Sequence, residues 1–155
     1  MRPYVHAGDR AIDIGAGMGY FSIPLARMVG PAGQVTAIDL QPQMLSALIR
    51  RAKRAGVSER VHTSQATPDS LGEHPPADFI LAFWMVHEVP DQRAFLTEIR
   101  RMLKPAGRFL LVEPKIHVSG KRYQKTLETT KDVGFLLQER PTIRWSHSAL
   151  LGLNS

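Results

Sequence analysis

The sequence predicts an open α/β sheet with helices on both of its faces. Three observations carry that reading. Short apolar strands alternate with amphipathic helices along the whole chain. The runs Asp78–Phe83 and Arg108–Glu113 are apolar almost without interruption, as strands covered on both faces are. A glycine-rich turn, Gly15-Ala16-Gly17-Met18-Gly19, follows the first apolar strand and opens a helix. Sheets of this kind bind ligands beyond the carboxyl ends of their strands, where such turns lie.

The elements follow in order. The first strand covers Arg10–Ile14. The next helix runs over about residues 19–28, with Pro24 shifting its start toward Ser22, because proline is tolerated only in a first turn. Gly30-Pro-Ala-Gly33 ends it. A second strand, Gln34–Asp39, is rich in β-branched residues. Pro42 opens a helix with Met44, Leu45, Leu48 and Ile49 at helical spacing, and Gly56 closes it. A short third strand spans about 60–64, and 67–76 is a loop with room for one helical turn. After strand Asp78–Phe83, Asp91 caps a helix reaching Leu103, and Lys104-Pro-Ala-Gly107 stops it before strand Arg108–Glu113. A helix over Gly120–Asp132 and strands over 135–139 and 146–151 complete the chain.

The chain has 155 residues, enough for one domain with a real core, and nothing marks an internal boundary or repeat. It contains no cysteine. Disulfides, thiolate metal sites and cysteine nucleophiles are therefore excluded, and a cytoplasmic location is the simplest expectation. The six histidines show no metal-binding spacing. No apolar run is long enough to span a membrane and the first residues lack a signal-peptide core. The net charge of +6 would suit nucleic acid, but the basic residues are spread over several helices. Their densest run, Arg50-Arg51-Ala52-Lys53-Arg54, ends a helix, where cations favour the dipole.

Chemistry concentrates at the ends of strands. Gly15, Gly17 and Gly19 let a ligand approach the main chain, and the helix behind them aims free N–H groups at it. Asp13 stands two residues before the first glycine. Asp39 ends the second strand, twenty residues after Gly19, where a carboxylate can accept hydrogen bonds from two ribose hydroxyls. The fourth strand ends in an unusual cluster, Trp84-Met85-Val86-His87-Glu88.

With these residues in place the chain resembles the class I S-adenosylmethionine-dependent methyltransferases, especially the small-molecule branch of ubiquinone and menaquinone biosynthesis. Ala11–Gly19 is similar to that family's first cofactor motif, Val35–Asp39 to its second, Asp78–Asp91 to its fourth, and Leu103–Glu113 to the helix-to-strand signature that follows. The resemblance implies a Rossmann-like sheet of seven strands in the order 3-2-1-4-5-7-6, the last strand antiparallel, and S-adenosylmethionine as methyl donor with S-adenosylhomocysteine as product. It implies that backbone at Gly15, Ala16, Gly17 and Gly19, with Asp13 nearby, holds the methionine part, and that Asp39 holds the ribose. Leu40 and Met44 would pack near the adenine. Gln65 and Ala66 would lie at its edge, with Gln65 replacing the acid usual there. Phe83 would flank the sulfonium.

The implied reaction is an in-line methyl transfer to a small-molecule acceptor, with the protein aligning the acceptor and excluding water. His87 and Glu88 are the candidate catalytic residues for a protonated acceptor, with His117 a second candidate base. Family members carry some tens of residues ahead of the first strand, and only about nine precede it here. The expectation is an acceptor site that is open, completed by a second copy in a homodimer, or missing from a minimal or truncated chain.

Three other readings use the same features. A nicotinamide-dependent oxidoreductase would use the glycine turn and Asp39, but Asp13 sits where an apolar residue is usual, and no substrate domain follows. RNA methylation draws on the positive charge, without the Asn/Asp-Pro-Pro-aromatic run or the cysteines that base-methylating chemistries use. A non-catalytic module that binds the methyl donor is the third.

Overall fold

In a computed structural model, which describes residues 1–154, the chain folds as one seven-stranded sheet flanked by four α-helices. The strands are β1 (Arg10–Ile14), β2 (Gln34–Asp39), β3 (Val61–Gln65), β4 (Ala77–Phe83), β5 (Leu103–Pro114), β6 (Phe135–Glu139) and β7 (Ser146–Leu153). The helices are α1 (Ser22–Val29), α2 (Pro42–Arg54), α3 (Gln92–Met102) and α4 (Gly120–Asp132). The sheet order is β3-β2-β1-β4-β5-β7-β6. β3, β2, β1, β4 and β5 pair in parallel, and β7 runs antiparallel to both β5 and β6. Order and hand of pairing are those expected.

Strand parity divides the core into two layers. Ile12, Ile14, Ile80, Phe109 and Leu111 face α3 and α4, with Phe95, Leu96, Ile99 and Leu127 packed on them. Ala11, Phe79, Leu81, Leu110 and Val112 face α1 and α2, against Leu25, Ala26, Val29 and Leu48. Asp13 has the parity of Ala11 and lies on the α1 face. Glu113 has the parity of Phe109 and Leu111 and lies on the α3/α4 face. Each carboxylate thus terminates a buried row of its own layer.

Most boundaries agree with the sequence reading. α1 begins at Ser22, which puts Pro24 in the first turn. Asp91 caps α3 by accepting the Ala94 N–H at 3.0 Å, and Ser119 caps α4 through the Arg122 N–H at 3.2 Å. Two stretches differ. The segment 67–76 forms no helical turn; Thr67 and Ser70 make an isolated antiparallel bridge, and Glu98 accepts the Leu71 N–H at 2.8 Å. β5 starts at Leu103 directly after α3, so Lys104–Gly107 belongs to the strand rather than stopping a helix before it. The cause is side-chain chemistry across the sheet. Leu103 pairs with Ala77, the register then shifts past Pro105, and Lys104 Nζ holds the Asp78 carboxylate at 2.7 Å. Asp78 in turn accepts the Arg10 N–H at 2.9 Å, which fastens the start of β1 to β4 and β5.

Candidate functional site

The residues singled out from the sequence gather at the carboxyl ends of β1, β2, β3 and β4, with His117 on the loop after β5. The turn after β1 is anchored from below: the N–H groups of Gly15 and Ala16 both donate to Ile38 O, at 2.9 and 3.0 Å. Gly15, Gly17 and Gly19 adopt positive φ angles of 72°, 53° and 84°, which side chains other than glycine rarely take. A Cβ at Gly19 would lie 2.8 Å from Leu48, so the third glycine serves the packing of the turn onto α2. At Gly17 the corresponding direction is open. The second glycine is the position where a ligand can meet bare backbone.

Asp39 clips this turn to the next helix. Its Oδ2 accepts the Gly17 N–H at 2.8 Å and its Oδ1 accepts the Gln41 N–H at 2.9 Å. Each carboxylate oxygen keeps a further lone pair for a hydroxyl donor. Around it, Leu40 is exposed, Met44 is half-buried and Ala66 is buried, its N–H donating to Asp39 O at 3.0 Å. The Gln65 amide reaches Leu40 O at 3.4 Å, which leaves its carbonyl oxygen free as an acceptor. Arg51, from the basic run of α2, donates to Met18 O at 3.0 Å. One of those cations therefore braces the glycine turn.

Asp13 is placed differently from its neighbours. It is 1% exposed and closed beneath the turn, where Ser22 donates to its Oδ2 at 2.5 Å. Burial pushes its carboxyl up to about 6; the Ser22 hydroxyl opposes that rise and the Asp39 charge adds to it. Its direct structural work is to tie the end of β1 to the first turn of α1.

On the β4 side, Phe83 packs its ring 4.3 Å from Phe21 and 5.3 Å from Trp84. Met85 lies against Gly15, 3.0 Å from where a Cβ would stand. These two contacts bring the loop after β4 up against the glycine turn. His87 and Glu88 follow in a 3-10 turn, Val86–Glu88. The His87 imidazole is held by a residue that the sequence reading did not single out. Glu113, at the end of β5 and 1% exposed, accepts His87 Nδ1–H at 2.8 Å. It also accepts the His87 N–H at 2.9 Å and the Val86 N–H at 3.1 Å. Burial raises the Glu113 carboxyl, and His87 with the two backbone donors pulls against that rise. The signal was a charged residue closing an apolar strand, the same signature that marks Asp13 and Asp39.

With Glu113 accepting at Nδ1, the free lone pair of neutral His87 is at Nε2. Nε2 lies 4.0 Å from the exposed Glu88 carboxylate. His117 is exposed, and its ring stacks on His87 at 6.1 Å between centroids. Arg122 donates to His87 O at 2.8 Å. Behind Glu113, Tyr123 stacks on His147 at 4.9 Å, with its hydroxyl buried and without a hydrogen-bond partner among the described residues. The arrangement offers a backbone turn with the Asp39 carboxylate on one side, and on the other an imidazole whose tautomer and orientation are fixed from below.

Known proteins resemble this chain in sequence and in fold. Residues 11–107 match a family model described as a methyltransferase domain. A demethylmenaquinone methyltransferase of Lactobacillus johnsonii is 31% identical over 110 residues, which are 70% of this chain and 45% of that protein. A ubiquinone biosynthesis O-methyltransferase of Xylella fastidiosa is 35% identical over 106 residues, 68% of this chain and 42% of that protein. The chain thus spans less than half the length of these curated relatives. Among solved structures, a SAM-dependent methyltransferase from Aquifex aeolicus superposes with a TM-score of 0.82 at 21% identity, over 95% of this chain and 83% of that one.

Proposed function

The chain belongs to the class I S-adenosylmethionine-dependent methyltransferases, and from that premise we propose that it transfers a methyl group to a small hydroxylated acceptor. The observation that carries the reading is the Asp39 carboxylate bonded to Gly17 at the open point of the glycine turn. A backbone cradle and a ribose acid are thereby fixed to each other. Bound at this edge, S-adenosylmethionine supplies a methyl group on a sulfonium and leaves as S-adenosylhomocysteine.

The residues of the chain have distinct parts in this reading. Backbone at Gly15, Ala16 and Gly17 receives the methionine end, with the buried Asp13 as a negative charge behind it, and Gly19 keeps the turn in place. Asp39 holds the ribose hydroxyls. Leu40, Met44, Gln65 and Ala66 surround the adenine, and Phe83 closes the side facing β4. His87 takes the acceptor's proton at Nε2 while Glu113 holds its Nδ1–H, and Glu88 lies where one water can carry that proton on. The proton leaves as the new bond to carbon forms, so the acceptor oxygen becomes a stronger nucleophile without a free oxyanion forming first.

The names of the relatives support quinone-type acceptors, and our reading takes a hydroxyl of such an acceptor as the nucleophile and the cytoplasm as the compartment. The test is transfer of labelled methyl from S-adenosylmethionine to a panel of catechols and quinols. Wild type should label one or more of them, His87→Ala should bind the donor normally and transfer at least about tenfold more slowly, and equal rates in both would exclude His87 as the base.

A further inference from the structure

Two residues of the described chain other than glycine have a positive φ, and both are tryptophans: Trp84 at 58° and Trp145 at 60°. Bulky residues rarely take that conformation, and it persists only where the surroundings enforce it. Here they do. The Trp84 N–H donates to Val112 O at 2.8 Å and its indole donates to Ser146 Oγ at 2.9 Å, while Trp145 O accepts the Lys115 N–H at 3.0 Å. The two strained backbones are fastened to each other across the ends of β4, β5 and β7. The result is that the Trp145 indole stands outward, 70% exposed, while Trp84, 45% exposed, keeps its indole N–H on the buried Ser146; Ile116, which follows the Lys115 held by Trp145 O, is 85% exposed.

Ile116 and Trp145 stand apart from the residues assigned to the donor, which lie at β1, β2, β3 and Phe83 of β4; Trp84 joins the two, its ring 5.3 Å from that of Phe83. The patch is also not a general property of the surface. Of the nine large apolar side chains exposed among the described residues, six stand on loops at the carboxyl end of the sheet: Met18, Tyr20 and Leu40 on the donor side, and Trp84, Ile116 and Trp145 at this rim. Its surroundings are cationic. Lys115 precedes Ile116, Lys121 opens α4, and Arg144 lies 5.2 Å from the centre of the Trp145 ring; all three are exposed. Glu88 is the exposed acid nearest by chain position.

We infer that this tryptophan–isoleucine rim docks the site-bearing face of the chain on an anionic phospholipid surface. Indoles favour the boundary between headgroups and acyl chains, an exposed aliphatic tip gains by entering it, and flanking lysine and arginine meet the lipid phosphates. The exposed aliphatic Ile116, which gives a nucleobase no ring to stack on, favours lipid over nucleic acid. The inference does not depend on methyl transfer and would place the mouth of the site at the lipid boundary.

The chain has two tryptophans, and intrinsic fluorescence of the donor-free protein, or of a Trp84→Phe variant that leaves Trp145 as its one indole, reports the patch. Added vesicles of phosphatidylcholine with one-third phosphatidylglycerol should shift emission to the blue, pure phosphatidylcholine should do so far less, and salt should reverse the shift. Ile116→Asp should weaken vesicle binding at least about tenfold with an unchanged thermal melt. Lys115→Glu, which leaves the apolar tip in place, should weaken it about fivefold or more. The inference is overturned by no shift with anionic vesicles at low salt, or by equal binding of both variants and wild type. It is equally overturned if vesicles fail while a single-stranded RNA oligonucleotide or a second copy, detected by sedimentation, occupies the patch and is lost on Ile116→Asp.

Discussion

Asp13 and Glu113 are the same kind of group in two different neighbourhoods. Each closes a buried strand, each is 1% exposed, and burial raises each carboxyl. They lie on opposite faces of the sheet. Asp13 takes its side-chain hydrogen bond from Ser22, nine residues away on the helix that follows. Glu113 takes its three from Val86 and His87, more than twenty-five residues back on another loop. The first is a local carboxylate with one neutral donor, and it costs the fold something to keep ionised. The second is a long-range carboxylate met only by N–H donors, and it organises the loop that carries the proposed base. A buried charge is a burden or a scaffold according to how many donors converge on it.

Substitution should separate the two in sign. The largest effect is expected at Glu113→Gln, which sets an amide group against His87 Nδ1–H or the backbone donors. Chemical denaturation should show a loss of about 2–4 kcal/mol, with methyl transfer falling far more than donor binding. A neutral result would mean that the loop after β4 is held by other contacts.

Asp13→Asn should move the other way. A folded carboxyl at about 6 lies above its unfolded value of 3.8, so between those values the folded state binds more protons and stability falls as pH rises. The wild-type penalty is absent near pH 4, grows toward pH 6 and is complete at neutral pH. Asp13→Asn should therefore match wild type at pH 4 and exceed it at pH 7 by on the order of 1–3 kcal/mol, read from urea melts across that range. A constant gap at every pH would refute the titration argument.

Asp39, the third carboxylate at a strand end, sharpens the contrast because its work is at the surface. Asp39→Ala removes the clip to Gly17 and Gln41 and should weaken S-adenosylmethionine binding at least about tenfold by calorimetry, near 1.4 kcal/mol. Unchanged affinity would remove it from the ribose site. The smallest effect is expected at Trp145→Asn, where a residue tolerant of positive φ replaces a strained one. Stability should rise by up to about 1 kcal/mol in a thermal melt; a fall would show that the exposed indole packs usefully in solution.

What the sequence revealed follows the same division between local and distant. The glycine turn, Asp39 and the Asp91 cap were legible because each is written in residues that touch within one loop or helix turn. The layers of the sheet were legible from apolar runs and strand order. Glu113 was visible only as the acidic end of a strand, since its partners lie on another loop and nothing in spacing announces the meeting. The long β5 was missed for a related reason. Lys104-Pro-Ala-Gly107 reads locally as a stop, and its pairing with β4 depends on Asp78, far back in the chain. Trp84 stood out in a cluster, but its tether to Ser146 crosses 62 positions.

The placement of β7 bears on how the chain is made. It is the seventh strand in chain order, yet it lies inside the sheet between β5 and β6. β6 is therefore synthesised before the strand it pairs with and has no seat on the sheet until β7 arrives. Ser146, which receives the Trp84 indole, arrives at the same moment. During synthesis the first five strands can assemble in parallel while β6 waits with an open edge, a state prone to pairing between chains. The growing polypeptide thus passes through an interval in which the donor-binding half can be finished while the opposite half still lacks its last wall.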